Sequence, residues 1–176
     1  MNIEVEARSF VSKEKFEQLL DFFTKHAQSV GVDDQESWYF DGFQDLRIQR
    51  NGQYAKVWLK KGKMHDAHRE EVEIRSAPES FDQLAQLFAA LGYTVAIKWF
   101  RKRQEFLWDG IKVCLDDTKG YGYIIELECM ANDSDKNAVY HVLMQKLMNL
   151  DVSITSREEF EQRFEEYKLN WRSLVE

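Results

Sequence analysis

The sequence contains few of the residues that interrupt a chain or cross-link it. It has one proline, eight glycines and two cysteines among 176 residues. Pro78 directly precedes a helix pattern, and no stretch rich in Pro, Gly or Ser divides the chain. We therefore expect a single domain over residues 1–176, long enough to bury a substantial core. Cys114 and Cys129 lie in strand patterns without metal-ligand spacing, which indicates reduced, structural thiols.

Long apolar runs and an excess of positive charge are missing as well. No segment is long enough to span a membrane, and the first residues lack a signal-peptide pattern. The net charge of −7 argues against a general nucleic-acid binder. The sequence also shows no nucleophilic Ser or Cys constellation and no glycine-rich loop of the Walker type. We expect a cytoplasmic protein without nucleic-acid or membrane partners.

Four segments carry apolar residues at helical spacing. They cover residues 12–27, 81–91, 135–149 and about 156–172. Ser80 and Ser156 begin capping boxes, and Ser134 precedes the third helix as a candidate N-cap. Gly92 follows the second helix and is suited to end it.

Seven further segments alternate apolar and polar residues, the pattern of half-buried strands. They are residues 3–8, 37–50, 53–61, 68–75, 95–108, 111–117 and 122–130. Asn51-Gly52 and Asp109-Gly110 are strong hairpin signals between consecutive strands. Strands that outnumber the helices and are joined by tight turns predict an antiparallel sheet with helices packed outside it, an α+β fold.

One face of each predicted strand is charged. In the first strand, Glu4, Glu6 and Arg8 share a face, with Ile3 and Val5 opposite. The remaining positions in this phase are Arg47, Gln49, Lys56, Trp58, Lys60, Arg69, Glu71, Glu73, Arg101, Arg103, Lys112, Cys114, Asp116, Glu126 and Glu128. Two structures fit the pattern: a flat sheet whose charged face meets water, or a closed barrel with a charged, wet interior. The near absence of Thr, Ser and Asn at these positions favours the closed antiparallel β-barrel.

The two signs of charge indicate one kind of ligand. Clustered Arg and Lys side chains bind phosphate oxygens through charge-assisted, often bidentate hydrogen bonds. Clustered carboxylates bind a hard divalent cation such as Mg²⁺ or Mn²⁺, which in turn bridges phosphate oxygens. A cavity that offers both predicts a metal-bound polyphosphate as the ligand.

The order of these motifs resembles that of the CYTH superfamily, the triphosphate tunnel metalloenzymes. The matching segments are Glu4-x-Glu6-x-Arg8 for ExExK, Leu46-Arg47-Ile48 for LRxR, Trp58-Leu59-Lys60 for TxK, Arg69-Glu70-Glu71-Val72-Glu73 for REExE, Arg101-Lys102-Arg103 with Phe106 for KxRxxY, Leu115-Asp116 with Gly120-Tyr121-Gly122 for LD…GxG, and Ile125-Glu126-Leu127-Glu128 for the closing xExE. The resemblance covers about residues 1–150 and implies a closed tunnel that binds triphosphate.

The resemblance also implies a role for each group of charged residues. The divalent-metal ligands would be Glu4, Glu6, Asp116, Glu126 and Glu128. The triphosphate-binding residues would be Arg8, Arg47, Lys56, Lys60, Arg69, Arg101, Arg103 and Lys112. The catalytic chemistry, which is phosphoryl or nucleotidyl transfer by positioning and charge neutralisation, would fall to Glu4, Glu6, Lys60 and Arg103.

Several features depart from the family pattern. Gln49 stands where a second Arg is usual, and Trp58 replaces a small Thr and narrows the lumen if it points inward. Arg8 and Arg101 replace lysines, which keeps the charge but changes its geometry to a planar fork. The helix at 156–172 lies beyond the family's usual end, where it would cap one mouth of the tunnel or form an interface.

The activity that the resemblance implies is metal-dependent hydrolysis of inorganic triphosphate or of a nucleoside or thiamine triphosphate. A class IV-type adenylyl cyclase, which makes cyclic AMP and pyrophosphate from ATP, is the second expectation. A non-catalytic polyphosphate- or nucleotide-binding module is the third. The expected partner is the small triphosphate itself, and a homodimer is left open.

Overall fold

The computed structural model describes residues 3–42, 45–60 and 71–175, with the side chains of Lys60 and Glu71 excepted. Its strands and helices are β1 (Ile3–Val11), α1 (Lys13–His26), β2 (Gln28–Phe40), β3 (Asp45–Arg50), β4 (Ala55–Lys60), β5 (Glu71–Ser76), α2 (Ser80–Ala90), β6 (Val95–Trp108), β7 (Ile111–Thr118), β8 (Gly122–Ala131), α3 (Lys136–Asn149) and α4 (Arg157–Val175). Among these helices, none combines the length and the apolar character needed to cross a membrane.

All described strands form one antiparallel sheet. The hydrogen-bonded order is β1-β8-β7-β6-β2-β3-β4-β5, and each neighbouring pair runs antiparallel. The predicted α+β fold is therefore confirmed. Within the described ranges, no strand pairing joins β1 to β5. The sheet curves around a cavity, but hydrogen bonds do not close it into the predicted barrel.

The prediction of one strand over 37–50 is wrong. Two strands occupy this region: β2 begins at Gln28, and β3 runs antiparallel to it with Arg47 opposite Tyr39. The first part of β2 contains the polar run 33–36, which lacks apolar alternation. Pairing with β6 holds this run extended, so tertiary contacts override a weak local signal. The predicted strand 68–75 is observed as β5 from Glu71, and residues 68–70 lie outside the described ranges.

Both predicted hairpin turns are confirmed. Between β3 and β4, Asn51 Oδ1 accepts hydrogen bonds from the backbone N–H groups of Gln53 and Tyr54, each at 2.9 Å. Between β6 and β7, Asp109 and Gly110 have φ angles of 51° and 76°. This pair of left-handed residues matches the twist of the two flanking strands.

All four predicted helices are present, but two of the predicted caps are wrong. Ser156 Oγ caps α4 as predicted, because it accepts a backbone N–H three residues on at 3.1 Å. Ser80 lies inside α2, after the N-cap Glu79, and Ser134 precedes the N-cap Asp135 of α3. Both segments enter their helices from turns whose backbone carbonyls already accept the first N–H groups. A serine cap is therefore not needed there.

Apolar residues on the outer face of the sheet pack against three helices in two clusters. In the first, α1 and α3 cover β1, β7 and β8 around the fully buried Val5 and Leu127. In the second, α2 covers β2–β4 through Phe81. The outer face of β5 differs, because Val72 and Ile74 are 50% and 67% exposed. The apolar face predicted for this strand is therefore only partly covered by the described residues.

The helix α4 packs against the sheet through a third, aromatic cluster. Tyr167 and Trp171 are buried there together with Trp99 of β6. Tyr167 Oη also donates a hydrogen bond to the backbone carbonyl of Lys98 at 2.9 Å. The helix thus contributes both apolar burial and a satisfied polar contact to the fold.

The C-terminal end of α4 lies against the turn between β7 and β8. A Cβ added to Gly120 would come within 2.6 Å of Leu174 Cβ, and the φ angle of Gly120 is +73°. Lys119 Nζ in the same turn donates to the carbonyl of Val175 at 2.5 Å. Close approach and left-handed backbone together require glycine at position 120.

Candidate functional site

The charged faces of the strands meet in one cavity of about 460 Å³. Side chains from all eight described strands and from α4 line it. The positions that share a phase in the sequence therefore point into a common space. A flat sheet with its charged face in water, the alternative expectation, does not describe this arrangement.

Every predicted site residue whose side chain is described lines this cavity. They are Glu4, Glu6, Arg8, Arg47, Lys56, Arg101, Arg103, Lys112, Asp116, Glu126 and Glu128. The side chain of Lys60 and the whole of Arg69 lie outside the described residues. Gln49 and Trp58 also line the cavity, and Trp58 is only 6% exposed, so its indole occupies part of the lumen as expected.

Two carboxylates occupy opposite positions on β1 and β8. Glu6 is the register partner of Glu128, and Arg8 is the partner of Glu126. On the other side of β8, Lys112 is the partner of Glu128, with Nζ 2.8 Å from Oε2. Like charges at directly opposite positions repel each other. Arg8 Nη1, 3.3 Å from Glu6 Oε1, and Lys112 each partner one of the two acids. The row therefore holds two carboxylates side by side, which suits a bound cation.

Arg103 is the centre of a buried ion-pair network. Its Nε donates to Asp116 Oδ1 at 2.7 Å and its Nη2 to Asp116 Oδ2 at 2.6 Å, and Nη2 also donates to Glu126. The side chains of Arg103, Asp116 and Glu126 are 10%, 1% and 10% exposed. Burial acts to lower the pKa of Arg103, but the charges of Glu126 and Asp116 outweigh it and hold the pKa well above its usual value.

The two acids of β8 have opposite pKa shifts. Burial acts to raise the pKa of Glu126, but the charges of Arg103, Arg101 and Arg8 outweigh it and lower the pKa to about 2. For Glu128, burial and then the charge of Glu126 raise the pKa. The cavity thus holds one firmly ionised carboxylate beside one that takes up a proton more readily.

The residues present fit a hard divalent cation. Ligand atoms of Cys114, Glu126 and Glu128 all lie within 4.8 Å of one another. Burial is the largest cause that raises the pKa of the Cys114 thiol, so the thiolate that soft metals require is disfavoured. Two carboxylates with Glu6 opposite one of them are the oxygen ligands that Mg²⁺ and Mn²⁺ prefer.

Three of the candidate phosphate-binding cations lie over aromatic rings in the cavity. The distances from cation to ring centroid are 4.2 Å for Arg47 and Tyr39, 4.0 Å for Lys56 and Trp58, and 4.6 Å for Arg8 and Phe160. Each such contact is worth about 0.5–2 kcal/mol and restricts a long, flexible side chain. Because Phe160 belongs to α4, the C-terminal helix borders the cavity and takes part in the site.

The sequence prediction missed several residues of the cavity wall. They are Gln35, Tyr39, Tyr54, Arg75, Trp99, Glu105, Thr118, Tyr121, Ile124, Phe160 and Phe164. Gln35 was missed because the start of β2 was not recognised, yet its Oε1 accepts from Nε and Nη2 of Arg101 at 2.9 and 2.5 Å. Thr118 was missed because the predicted strand ended at residue 117. Its phase with Asp116, two residues earlier, was the available signal.

A curved antiparallel sheet that gathers acids and bases from all its strands around one cavity, with a C-terminal helix at its border, defines an α+β class of protein with a charged interior. Within that class, the chain belongs to the CYTH domain family, whose model matches residues 2–164. The resemblance carried by the motifs is thereby confirmed. No curated protein sequence matches this chain.

Solved structures share the fold at low sequence identity. A conserved hypothetical protein from Pyrococcus furiosus has a TM-score of 0.73 at 19% identity, over 85% of this chain and 91% of its own. A Bacillus halodurans protein provisionally named an adenylate cyclase has a TM-score of 0.68 at 21% identity, over 92% and 97% of the two chains. A Hippeastrum protein provisionally named an adenylyl cyclase, and described as having a dominant triphosphatase activity, has a TM-score of 0.65 at 18% identity, over 98% and 96%.

Proposed function

We propose that this protein is a divalent-metal-dependent phosphohydrolase that cleaves a triphosphate bound in the cavity. The observation that carries the proposal is the gathering of carboxylates and guanidinium groups in one space between the strands. Neither sign of charge suffices alone, since the cations bind phosphate oxygens and the carboxylates bind the metal ion. Inorganic triphosphate, nucleoside triphosphates and thiamine triphosphate are the candidate substrates.

The acidic side of the cavity is the proposed metal site. Glu6, Glu126 and Glu128 would hold the ion, and Glu4 and Asp116 complete the acidic set. When bound, Mg²⁺ or Mn²⁺ neutralises phosphate charge and lowers the pKa of a coordinated water. In the metal-free protein, Glu6 and Glu128 lie opposite each other and repel, and a bound cation would relieve this repulsion.

The basic side chains bind and orient the phosphate chain. In the free protein, Arg103 is engaged with Asp116 and Glu126. A cation held by these acids would compete with the guanidinium group and release its N–H groups toward phosphate oxygens. Metal binding and substrate binding would then strengthen each other, because one exchange of partners serves both. Arg8, Arg47, Lys56, Lys60, Arg69, Arg101 and Lys112 are the other proposed phosphate contacts.

The remaining expectations belong to the same proposal. Closure of the sheet into a barrel would enclose the triphosphate on all sides and exclude competing water. A cytoplasmic location would supply both triphosphates and Mg²⁺. The small triphosphate is the only partner proposed. A measurement of the mass of the protein in solution would show whether two chains form a dimer.

The test is phosphate release from each triphosphate with Mg²⁺ or Mn²⁺, from neutral to alkaline pH. Glu6→Gln should lower kcat on the order of 100-fold, because it removes a charge that acts in the transition state. The matched control is Glu17→Gln, an exposed carboxylate on α1, which should leave the rate unchanged. Release from none of the substrates under any of these conditions would remove the proposal.

Adenylyl cyclase activity is the second candidate function. The provisional names of the Bacillus halodurans and Hippeastrum proteins favour it. In that reaction the ribose 3′-oxygen attacks the α-phosphorus and pyrophosphate leaves. Chromatography after incubation with ATP separates the two, since a cyclase yields cyclic AMP and pyrophosphate while a hydrolase yields ADP and phosphate.

A non-catalytic binding module is the third candidate. It is favoured by Gln49 and Trp58, which replace the residues that the family pattern usually has. Tight ATP binding without turnover, unchanged by Glu4→Gln, would support this function over both enzymatic ones.

A further inference from the structure

Two buried polar groups of non-aromatic side chains in the cavity wall have no hydrogen-bond partner among the described residues. They are the amide nitrogen Nε2 of Gln49 on β3 and the hydroxyl Oγ1 of Thr118 on β7. Both residues are 2% exposed, and both line the cavity. A buried donor without a partner costs about 1–3 kcal/mol, and native proteins rarely keep one without a reason.

Both groups lie next to candidate phosphate-binding cations. Thr118 is the register partner of Arg101 on β6. Gln49 is the register partner of Lys56 on β4 and lies two residues from Arg47 on the same face of β3. Directly opposite side chains in an antiparallel pair have Cβ atoms about 4.5–5.5 Å apart. A phosphate chain drawn to these cations therefore comes within reach of the two neutral donors.

We propose that Gln49 and Thr118 donate hydrogen bonds to the oxygens of the bound triphosphate. A hydroxyl and a primary amide can each donate to an anionic oxygen without adding a charge to the cavity. Both groups are shielded in the free protein, so neighbouring side chains have to move when the ligand binds. The neutral donors then replace a missing contact and leave the charge of the cavity unchanged.

This inference rests on the proposed function only in that a triphosphate is the ligand. It concerns binding, so it is tested without turnover. The probe is inorganic tripolyphosphate, titrated by calorimetry with and without Mn²⁺. The variants are Thr118→Val and Gln49→Met, which keep the side-chain shape or length and remove the donor.

The proposal predicts weaker ligand binding together with higher stability in the same variants. The Kd for tripolyphosphate should rise about 10- to 100-fold in each variant, because one hydrogen bond to a charged oxygen is lost. The melting temperature of the ligand-free protein should rise by about 2–4 °C, because an unsatisfied buried donor is removed. A merely structural residue would show neither the rise in Kd nor the gain in stability.

Thr155→Val is the matched control. The hydroxyl of Thr155 contacts Ser9 Oγ at 2.8 Å and accepts from the backbone N–H of Phe10 at 2.9 Å. The same substitution here removes a satisfied group, so the melting temperature should fall while the Kd for tripolyphosphate stays unchanged. The control thus separates the effect of losing a partnered hydroxyl from the effect of losing an unpartnered one.

The outcomes distinguish this inference from the proposed function. If wild type binds tripolyphosphate but hydrolyses no substrate, and the variants bind more weakly, the inference stands and the hydrolase falls. If wild type hydrolyses and both variants bind as wild type, the inference is overturned and the hydrolase stands. A lower melting temperature in both ligand-free variants also overturns it, and failure of wild type to bind any triphosphate overturns both.

Discussion

At the scale of the residue, Glu126 and Glu128 show how position within one cavity decides the protonation of an acid. The two lie on the same strand and on the same face, two residues apart. Burial acts to raise the pKa of Glu126, but the charge of Arg103, whose Nη2 donates a hydrogen bond to Glu126, outweighs it. The pKa of Glu126 therefore falls to about 2. Glu128 has Lys112 as its partner, but burial and then the charge of Glu126 raise its pKa.

These shifts predict unequal losses of stability from two matched substitutions in the metal-free protein. Ionised Glu126 stabilises the folded state above its usual pKa of 4.5, and this stabilisation is lost as the pH falls toward 2. Glu126→Gln should therefore lower the free energy of unfolding at neutral pH by roughly 3 kcal/mol and weaken its dependence on pH below about 5. Denaturant unfolding in the presence of a chelator, from acidic to neutral pH, measures both effects.

Glu128→Gln is the control, for which only a small loss of stability at neutral pH is expected. A carboxyl whose pKa is raised on folding stabilises the protein below its usual pKa, and the stabilisation is lost as the pH rises through the folded value. Removal of its charge should cost little at neutral pH, because Lys112 is 44% exposed and can be hydrated when its partner is lost. Equal losses of stability in the two variants would contradict the assigned shifts.

At the scale of the element, α4 is joined to the sheet at both of its ends. Its first turns place Phe160 against Arg8 and against the ring of Phe10, the latter with centroids 4.7 Å apart. Its last turn lies against Gly120, where a Cβ would meet Leu174 at 2.6 Å. The helix is therefore held at both ends along the sheet, and the position of Phe160 in the cavity depends on contacts about four turns away.

A pair of glycine substitutions tests this docking. Gly110 and Gly120 both follow the ends of strands, with φ angles of 76° and 73°, but nothing lies within 4 Å of a Cβ at Gly110. Gly110→Ala should cost about 1–3 kcal/mol of stability from backbone strain alone. Gly120→Ala should cost at least about 1 kcal/mol more, because an overpacked contact with α4 is added. Thermal and denaturant unfolding measure the difference.

Removal of residues 174–176 is the control for the same pair. Without Leu174, the additional loss at Gly120 should disappear, and the two alanine variants should become equally unstable. If the difference persists in the shortened chain, the contact between α4 and the turn is not its cause.

At the scale of the whole molecule, the cavity unites strands that lie far apart in the sheet. Strand β1 is at one end of the hydrogen-bonded order, β4 and β5 are at the other, and all three line the same space. The side of β1, β8, β7 and β6 carries the acids and the Arg103 network, whereas β2, β3 and β4 carry Gln49, Tyr39 and Trp58. A ligand bound in the cavity would contact both of these groups of strands.

Tripolyphosphate with Mn²⁺ should therefore protect backbone amides from hydrogen exchange at both ends of the sheet. At a ligand concentration of about 100 times Kd, the stabilisation is about 2.7 kcal/mol, which corresponds to about 100-fold slower exchange where exchange requires global unfolding. Sulfate at matched ionic strength is the control and should protect neither end. Protection of β1 and β8 alone, with β3 and β4 unaffected, would contradict a ligand that bridges the cavity.

Much of the site follows from the sequence, because strand alternation is a local property of the backbone. Glu4, Glu6 and Arg8 share a face in any extended chain, and the hairpin at Asp109-Gly110 needs only a pair of residues that tolerate positive φ. The polar start of β2 could not be predicted in this way. Its extended form depends on pairing with β6, and with it the inward position of Gln35 was missed.

By itself, the sequence determined the helices, most of the strands, the face to which each charged residue belongs and the family of the protein. Those properties depend on neighbours a few residues apart, which the chain order already specifies. Only the tertiary structure decided which side chains meet: Arg103 with Asp116 and Glu126, Glu6 with Glu128, and Phe160 with Arg8. Such contacts join residues that are distant in the chain, and their electrostatic effects depend on burial and distance, which no local pattern contains.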